Sequence, residues 1–373
     1  MSRRRILVVD DEPGMLRAVR RVLEQSYDVV CAESAEEALV SAAEIEPDLA
    51  LIDIRMPQTD GFELTRKLKD LHPDIDMILM TGSVSESDRK LVQAIRHKVF
   101  YFIQKPFDRE VLQTLVARCL ELRALAEENR EHVERLEGVL AEARAFQASL
   151  FPRETFAGAV RISAGHLSCD ELCGDFYDYT PIGVDRAAFL VADVSGHGAP
   201  AAMLTGVVKS AFRSCRDERF SPNEVVERIS AGIRTFKSNR FVTLFCGVVD
   251  VAEGTLQYVN AGHPPGILCD GAGRVSLLSP TGILVSPVFD TATWSVDRVE
   301  FRSAHRLLLY TDGITEAPGE SECFGTERLV ARVGRGAHGK ALIDSVFAEV
   351  LEFMHGRPRE DDLTLLTVSL DGD

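Results

Sequence analysis

The sequence predicts an α/β unit built on a five-stranded, doubly wound parallel sheet, then a long helical linker, then an α+β unit. Three observations carry this. Short apolar runs alternate with amphipathic segments over the first third. A stretch from Phe107 to Leu150 holds no Pro and only one Gly, Gly138. Beyond Pro152 the composition changes to short strands broken by Gly, Pro and Asp. In the first unit Ile6 to Val9, Val29 to Cys31, Leu49 to Ile52, Met77 to Met80 and Val99 to Ile103 read as strands. Gly14 to Gln25, Ala35 to Ile45, Gly61 to Leu71 and Glu86 to His97 read as the helices between them.

Composition limits the function. At 373 residues and 45% hydrophobic content, the chain has material for two or three cores. Its 58 acids against 42 bases give a net charge of −16, which a nucleic-acid backbone repels, so no nucleic-acid partner is expected. No apolar run approaches the ~18 residues of a membrane span, and membrane insertion is not expected either. The start "MSRRRILVVDDE" is basic like a signal peptide, but Asp10 and Asp11 interrupt its apolar stretch after Val9. The eight cysteines (31, 119, 169, 173, 215, 246, 269 and 323) form no C-x-x-C pair. They read as reduced packing residues of a cytoplasmic protein.

In an open parallel sheet the functional crevice lies at the carboxyl ends of the strands. Those ends carry Asp10, Asp11, Asp53, Thr81 and Lys105. Three carboxylates in one crevice repel each other unless a cation sits between them, and oxygen donors favour Mg²⁺. The stretches "LVVDDEPG", "LIDIRMPQTDGFEL", "LMTG" and "FIQKPF" resemble the receiver domain of two-component response regulators over residues 4–120. The resemblance implies that Asp53 accepts a phosphoryl group from a sensor histidine kinase. Asp10, Asp11, Asp53 and the Arg55 carbonyl would hold Mg²⁺, Thr81 and Lys105 would grip the phosphoryl oxygens, and Phe102 would sit at the aromatic switch position.

The linker, residues 121–150, follows a heptad. With Leu122 at "a", the "a" positions are Leu122, Asn129, Leu136, Ala143 and Leu150, and the "d" positions are Leu125, His132, Val139 and Phe146. Only Asn129 and His132 interrupt an apolar seam, and a buried Asn at "a" sets the register of a parallel dimer. A homodimer is therefore expected. The alternative is an amphipathic helix packed on its own chain, and Gly138 weakens the coil locally.

In residues 151–373, Val160 to Gly165, Ala187 to Ala192, Val242 to Val251, Thr255 to Asn260, Leu307 to Tyr310 and Leu363 to Leu370 read as strands. Ala199 to Ser214, Pro222 to Phe236 and Lys340 to His355 read as helices. Acids stand at strand ends or in Gly-flanked turns: Asp175, Asp193, Asp312, Asp361 and Asp362. Singly, each suits a turn. Together they form an oxygen-rich set without a G-x-S-x-G elbow or a phosphate-cradling Cys loop, which points to metal-activated water.

The same residues carry a second resemblance. "CGDFYDY", "VADVSGHGAPAAM", "NAGHPPGIL", "LLLYTDGITEA", "FGTERL" and "DDLTLLTV" are similar to the sporulation-phosphatase (stage II sporulation protein E) branch of the metal-dependent, PP2C-like protein phosphatases, over residues 144–370. The family fold is a β-sandwich flanked by helices, with two Mn²⁺ or Mg²⁺ ions at one edge. The resemblance implies that Asp193 bridges both ions, the Val194 carbonyl adds a ligand, and Asp175, Asp312 and Asp361 complete the shells. Gly196, His197, Asn260, His263 and Asp362 are accessory candidates, with turn-building set ahead of catalysis for Asn260 and His263. Two features depart from the branch: Cys173 stands where glycine is common, and "PTGILVSPV" lacks the usual Gly-x-Pro-Leu-Gly run.

The implied activity is dephosphorylation of phosphoserine or phosphothreonine on a phosphorylated anti-sigma factor antagonist of the STAS type. "AEARAFQASLFP" looks like the branch's switch segment, a helix whose position decides whether the metal site is assembled. The alternative is a non-catalytic module, controlled by the receiver, that sequesters an antagonist or anti-sigma protein.

Overall fold

The computed structural model describes residues 3–56, 60–82, 101–152, 156–157, 159–236, 239–289, 291–334 and 338–370. It divides into two compact units, Met1–Leu136 and Glu137–Asp373.

The first unit runs β1 (Arg5–Val9), α1 (Pro13–Leu23), β2 (Asp28–Ala32), α2 (Ala35–Ile45), β3 (Leu49–Asp53), α3 (Gly61–Leu71), β4 (Asp76–Thr81) and β5 (Tyr101–Gln104), then α4 (Arg109–Ala148). The five strands form one parallel sheet in the order β2-β1-β3-β4-β5. Strands β1, β3 and β4 are buried on both faces, as continuous apolar runs in a parallel sheet must be. One core packs Ile6, Val8, Leu51 and Ile78 against α1 and the start of α4; the other packs Leu7, Val9, Ile52 and Leu79 against α2 and α3. Strand order reverses between β1 and β3, so the crevice lies beside Asp10 and Asp53. Helix α1 starts one residue earlier than expected because Pro13 occupies its first turn, where a missing N–H costs nothing. The expected helix Glu86 to His97 lies outside the described residues, as do the first two residues of the expected strand Val99 to Ile103.

The second unit holds the end of α4 and two antiparallel sheets. One sheet has the order β14 (Asp297–Glu300), β11 (Thr255–Ala261), β10 (Val242–Asp250), β9 (Arg186–Val194), β8 (Asp175–Ile182). The other has the order β13 (Val275–Leu278), β12 (Gly266–Cys269), β15 (Arg306–Tyr310), β16 (Leu363–Leu370), β7 (Val160–Leu167), β6 (Phe156–Ala157). Their facing sides share a core in which Phe189, Phe245 and Tyr258 stack in series. Helices α5 (Ala199–Ser214) and α6 (Pro222–Arg234) cover the first sheet, and α9 (Gly339–Phe353) covers the second. Two short helices, α7 (Asp312–Glu316) and α8 (Thr326–Val333), complete the unit.

Of the two settings expected for these acids, Asp175 takes the strand end: it opens an eight-residue strand that the sequence pattern did not reveal. That strand hides behind its polar residues, because Asp178 is fully buried against Arg213, whose Nε and Nη2 lie 2.7 and 2.5 Å from its oxygens. Not every cysteine packs in a core either; Cys323 is exposed, and all eight are free thiols. No described helix is long and apolar enough to cross a membrane.

In the "NAGH" turn the Asn260 side chain bonds the turn's own backbone, while the buried His263 Nε2 has no hydrogen-bond partner among the described residues. Asn260, fully buried, accepts a hydrogen bond from the His263 backbone N–H (2.8 Å), and its amide faces the carbonyls of Pro264 and Leu278 at 3.4 Å. Gly262 lies between them at φ +66°, where an added Cβ would meet the Leu284 backbone at 2.7 Å. Burial pushes the His263 imidazole down to about 3, so it is neutral near pH 7, and its Nδ1 pairs with the Thr243 hydroxyl at 2.9 Å. Asn260→Ala is expected to cost about 2–4 kcal/mol by stranding these buried groups. Urea unfolding of the full chain checks it, and a loss below the scatter of surface substitutions would refute the turn's structural role.

Candidate metal centres

In the first unit Asp10, Asp11 and Asp53 each place a carboxylate oxygen within 4.8 Å of the others. The Lys105 ammonium reaches into this group, 2.6 Å from Asp10 and 2.8 Å from Asp53. Burial works to lower the lysine, but its two carboxylate hydrogen bonds prevail and its pKa is raised. Burial raises the Asp10 carboxyl, and Lys105 offsets this only in part. Each Asp also shapes its own loop: Asp10 accepts from the Glu12 N–H and Asp53 from the Arg55 N–H. Gly61 is required close by, since a Cβ there would meet the Asp53 carbonyl at 2.3 Å. Thr81 ends β4 beside Asp53, and Phe102 packs half-buried against the core under α2 and α3. The donors are hard oxygens in a shielded crevice, a set that fits Mg²⁺.

In the second unit the acids meet where the two sheets end together. Asp175 opens β8 and lies directly opposite Asp193, near the end of β9. From the other sheet, Asp312 follows β15 and begins α7, while Asp361 and Asp362 precede β16. Asp175 joins the sheets: its Oδ2 accepts from the hydroxyls of Thr311 (2.7 Å) and Thr364 (2.5 Å). Burial raises its pKa well above the ordinary carboxylate range, and the neighbouring Asp193 raises it further. Burial also pushes Asp193 up to about 7, with Asp312, Asp361 and Asp362 adding repulsion. Buried acids that repel one another need a compensating positive partner or a proton, and a divalent cation is one such partner. Asp175, Asp193, Asp312 and Asp361 thus repel one another at this edge, and among the described residues the group of this unit whose donor atoms all lie within 4.8 Å of one another is Cys169, Asp361 and Asp362.

Asp362 has a different place. It is buried and accepts from the backbone N–H groups of Cys169 (2.9 Å) and Gly174 (2.8 Å), so it braces the loop ahead of Asp175. Asp361 faces solvent beside it. Gly313 is needed for this approach, since a Cβ there would meet the Asp362 carbonyl at 2.2 Å. Gly196 and Gly198 have φ of +78° and +77° and turn the chain away after Asp193. His197 points outward and pairs with Asp170 at 2.9 Å. Sequence reasoning missed Cys169, whose sulfur falls within 4.8 Å of oxygens of Asp361 and Asp362. Burial and these acids push the Cys169 thiol up to about 12, and burial does the same for Cys173. Neither is primed as a nucleophile.

Sequence reasoning also missed Gln147. Near the end of α4, its amide makes a reciprocal pair with the backbone of Cys173: Nε2 donates to the carbonyl (2.7 Å), and Oε1 accepts from the N–H (3.1 Å). The adjoining residues are held as well. Arg144 bonds the Glu171 carbonyl, Lys209 bonds the Leu150 carbonyl, and Phe151 stacks on His166 at 4.5 Å. Gln147 lies within the expected switch segment "AEARAFQASLFP", but nothing in the sequence singles out this Gln, because only its partner makes it unusual.

Comparison with known proteins agrees with the two-unit architecture. Residues 183–371 match the family model of stage II sporulation protein E (SpoIIE), and residues 6–117 match the response regulator receiver domain. Protein IcfG of Synechocystis sp. is 28% identical over 275 residues, covering 65% of this chain and 43% of that protein. Phosphoserine phosphatase RsbP of Bacillus subtilis is 28% identical over 187 residues, covering 49% and 46%. The chain thus spans less than half the length of these relatives. Among solved structures, the SiaA-PP2C domain of Pseudomonas aeruginosa shares the fold of the second unit, with TM-score 0.55 and 21% identity over 64% of this chain and 99% of that one. The chain belongs to the SpoIIE family and carries a response regulator receiver domain ahead of its PP2C-like domain.

Proposed function

We propose that the chain is a response regulator whose output is metal-dependent hydrolysis of phosphoserine or phosphothreonine on a partner protein, controlled by phosphorylation of Asp53. The observation that carries this reading is the crowding of Asp175, Asp193, Asp312 and Asp361 at one sandwich edge. The similarity to a protein named a phosphoserine phosphatase supports it. Divalent Mn²⁺ or Mg²⁺ bound there would lower the pKa of water and offset charge on phosphoryl oxygens. The chain's own residues set the geometry. Thr311 and Thr364 fix the orientation of Asp175, Asp362 braces the approaching loop, and the exposed Asp361 lies where a substrate phosphate can arrive.

In this reading a sensor histidine kinase supplies the phosphoryl group, and the substrate is a phosphorylated anti-sigma factor antagonist of the STAS type. The protein acts in the cytoplasm as a parallel homodimer joined along α4. Leu125, Leu136, Val139 and Phe146 support the dimer, since they present large apolar side chains to solvent along one heptad seam. The Gln147 pair with Cys173 supports the coupling, because it ties that helix to the loop that leads into Asp175.

Asp193→Asn is expected to reduce Mn²⁺-dependent phosphate release by about 100-fold or more while circular dichroism stays that of the wild type. Activity within a few-fold of wild type would sink the metal assignment. For the receiver, acetyl phosphate with Mg²⁺ should add one phosphoryl group by intact mass and none to Asp53→Asn; equal labelling of both would remove Asp53 as the acceptor. Four residues inserted after Gly138 turn the downstream helix by about 40°, at ~100° per residue, whereas seven restore the heptad phase. The four-residue insertion should therefore uncouple phosphate release from Asp53 phosphorylation and the seven-residue insertion preserve it. Equal regulation in both, or a monomer by light scattering, would show that the helix seam does not carry the signal.

A further inference from the structure

The receiver's apolar grip on α4 ends early. Leu112, Val116, Cys119 and Leu120 are buried in its core, and from Glu121 onward the helix offers it no buried side chain. A second contact, made of charges, takes over one turn later. Arg4 reaches Asp48 through Nη1 and Glu127 through Nη2, both at 2.8 Å. Arg123 lies 2.9 Å from Glu127, 3.7 Å from Asp48 and 3.6 Å from Asp76, and it also donates to the Asp74 carbonyl. Arg4, Asp48, Arg123 and Glu127 close a ring of alternating charge, and Asp76 joins it through Arg123 alone. The side chains of Arg123, Asp48 and Asp76 are only 16%, 14% and 13% exposed, so solvent and salt screen them less than ordinary surface pairs.

The ring's position in the sheet suggests its use. Arg4 immediately precedes β1, Asp48 immediately precedes β3, and Asp76 opens β4. Those three strands end at Asp10, Asp53 and Thr81, the residues of the phosphoryl crevice. The ring therefore gathers the opposite ends of the strands that bear the crevice, and it ties them to two residues one helical turn apart on α4. Strands rise ~3.3 Å per residue and are stiff along their length, so a shift at one end reaches the other. The Arg4 guanidinium, hydrogen-bonded to both Asp48 and Glu127, also sets how far the helix is rotated about its axis, which sliding apolar contacts do not.

We propose that Arg123 and Glu127, clamped by Arg4, Asp48 and Asp76, are the point at which the receiver passes its phosphorylation state to the helix. Both readouts rest on the phosphorylation of Asp53 in the proposed function, and the rate readout rests on its hydrolytic activity as well. The test uses the full chain and the variants Arg123→Gln and Glu127→Gln. The rate readout is the ratio of p-nitrophenyl phosphate hydrolysis, in Mn²⁺, with acetyl phosphate to that without. The second readout is amide hydrogen exchange over residues 128–138 under the same two conditions. In the wild type both should respond to acetyl phosphate. In each variant Asp53 should label as in the wild type and the basal rate should stand, while the ratio collapses to unity and the exchange response disappears. A variant that keeps either response overturns the assignment. Loss of Asp53 labelling overturns it too, because the effect would then lie in the phosphorylation site itself. Should the wild type fail to hydrolyse p-nitrophenyl phosphate, the proposed function falls, and hydrogen exchange alone decides the clamp.

Discussion

The structure of the second unit turns on one electrostatic constraint: several carboxylates must share a shielded edge between two sheets. Two carboxylates that face each other across adjacent strands, as Asp175 and Asp193 do, cannot both be charged at neutral pH without compensation. No described hydrogen bond or ion pair brings a basic side chain to either of them. Hydroxyl donors from Thr311 and Thr364 relieve Asp175 in part and fix its direction, but they bring no charge. The close backbone approach at Gly174 and Gly313 serves the same end, since each would collide with a neighbouring carbonyl if it bore a side chain. An edge arranged this way costs stability unless cations occupy it, which is why metal chemistry is the economical reading.

That constraint also explains how a single helix can influence the site. The loop from Cys169 to Gly174 must be held against its own acids, and three of its supports are polar: Asp362 at two N–H groups, and Gln147 at Cys173. Hydrogen bonds of this kind contribute about 1 kcal/mol each, and leaving their buried partners unpaired costs about 1–3 kcal/mol. Coupling between regulatory and active sites is typically of the same size, ~1–3 kcal/mol. The Gln147 pair is therefore strong enough to bias the loop and weak enough to be broken by a rotation of the helix.

Much of this was legible in the sequence, and the failures have physical causes. Strands β1 and β3 were plain because burial on both faces of a parallel sheet leaves continuous apolar runs, and β10 and β16 because apolar residues still dominate them. Helices α2 and α3 were plain down to their ends because Ser34 and Asp60 cap them. Strand β8 was missed because Asp178 interrupts its pattern and the compensating Arg213 lies on another element. Strands β12, β13 and β14 were missed because each has only four residues, too few for a period to show. At the site, the acids were legible as a set. What separated the exposed Asp361 from the bracing Asp362 was not, because adjacent aspartates look alike until their partners are known.

Charged and amide side chains on a long helix are ordinarily read as its solvated face, and Arg123, Glu127 and Gln147 fit that reading in sequence. Their partners change it. Near its start α4 is held by the Arg4, Asp48 and Asp76 ring, near its end by the backbone of Cys173, and the residues between 128 and 142 are exposed throughout. Apolar packing tolerates small slides and rotations, because dispersion contacts are many and individually weak. Hydrogen bonds, whether from a guanidinium or an amide, lose strength steeply with angle. A directional contact therefore fixes the rotation of the stretch of helix it touches more tightly than its position, and rotation is the motion that a heptad seam can convert between two settings.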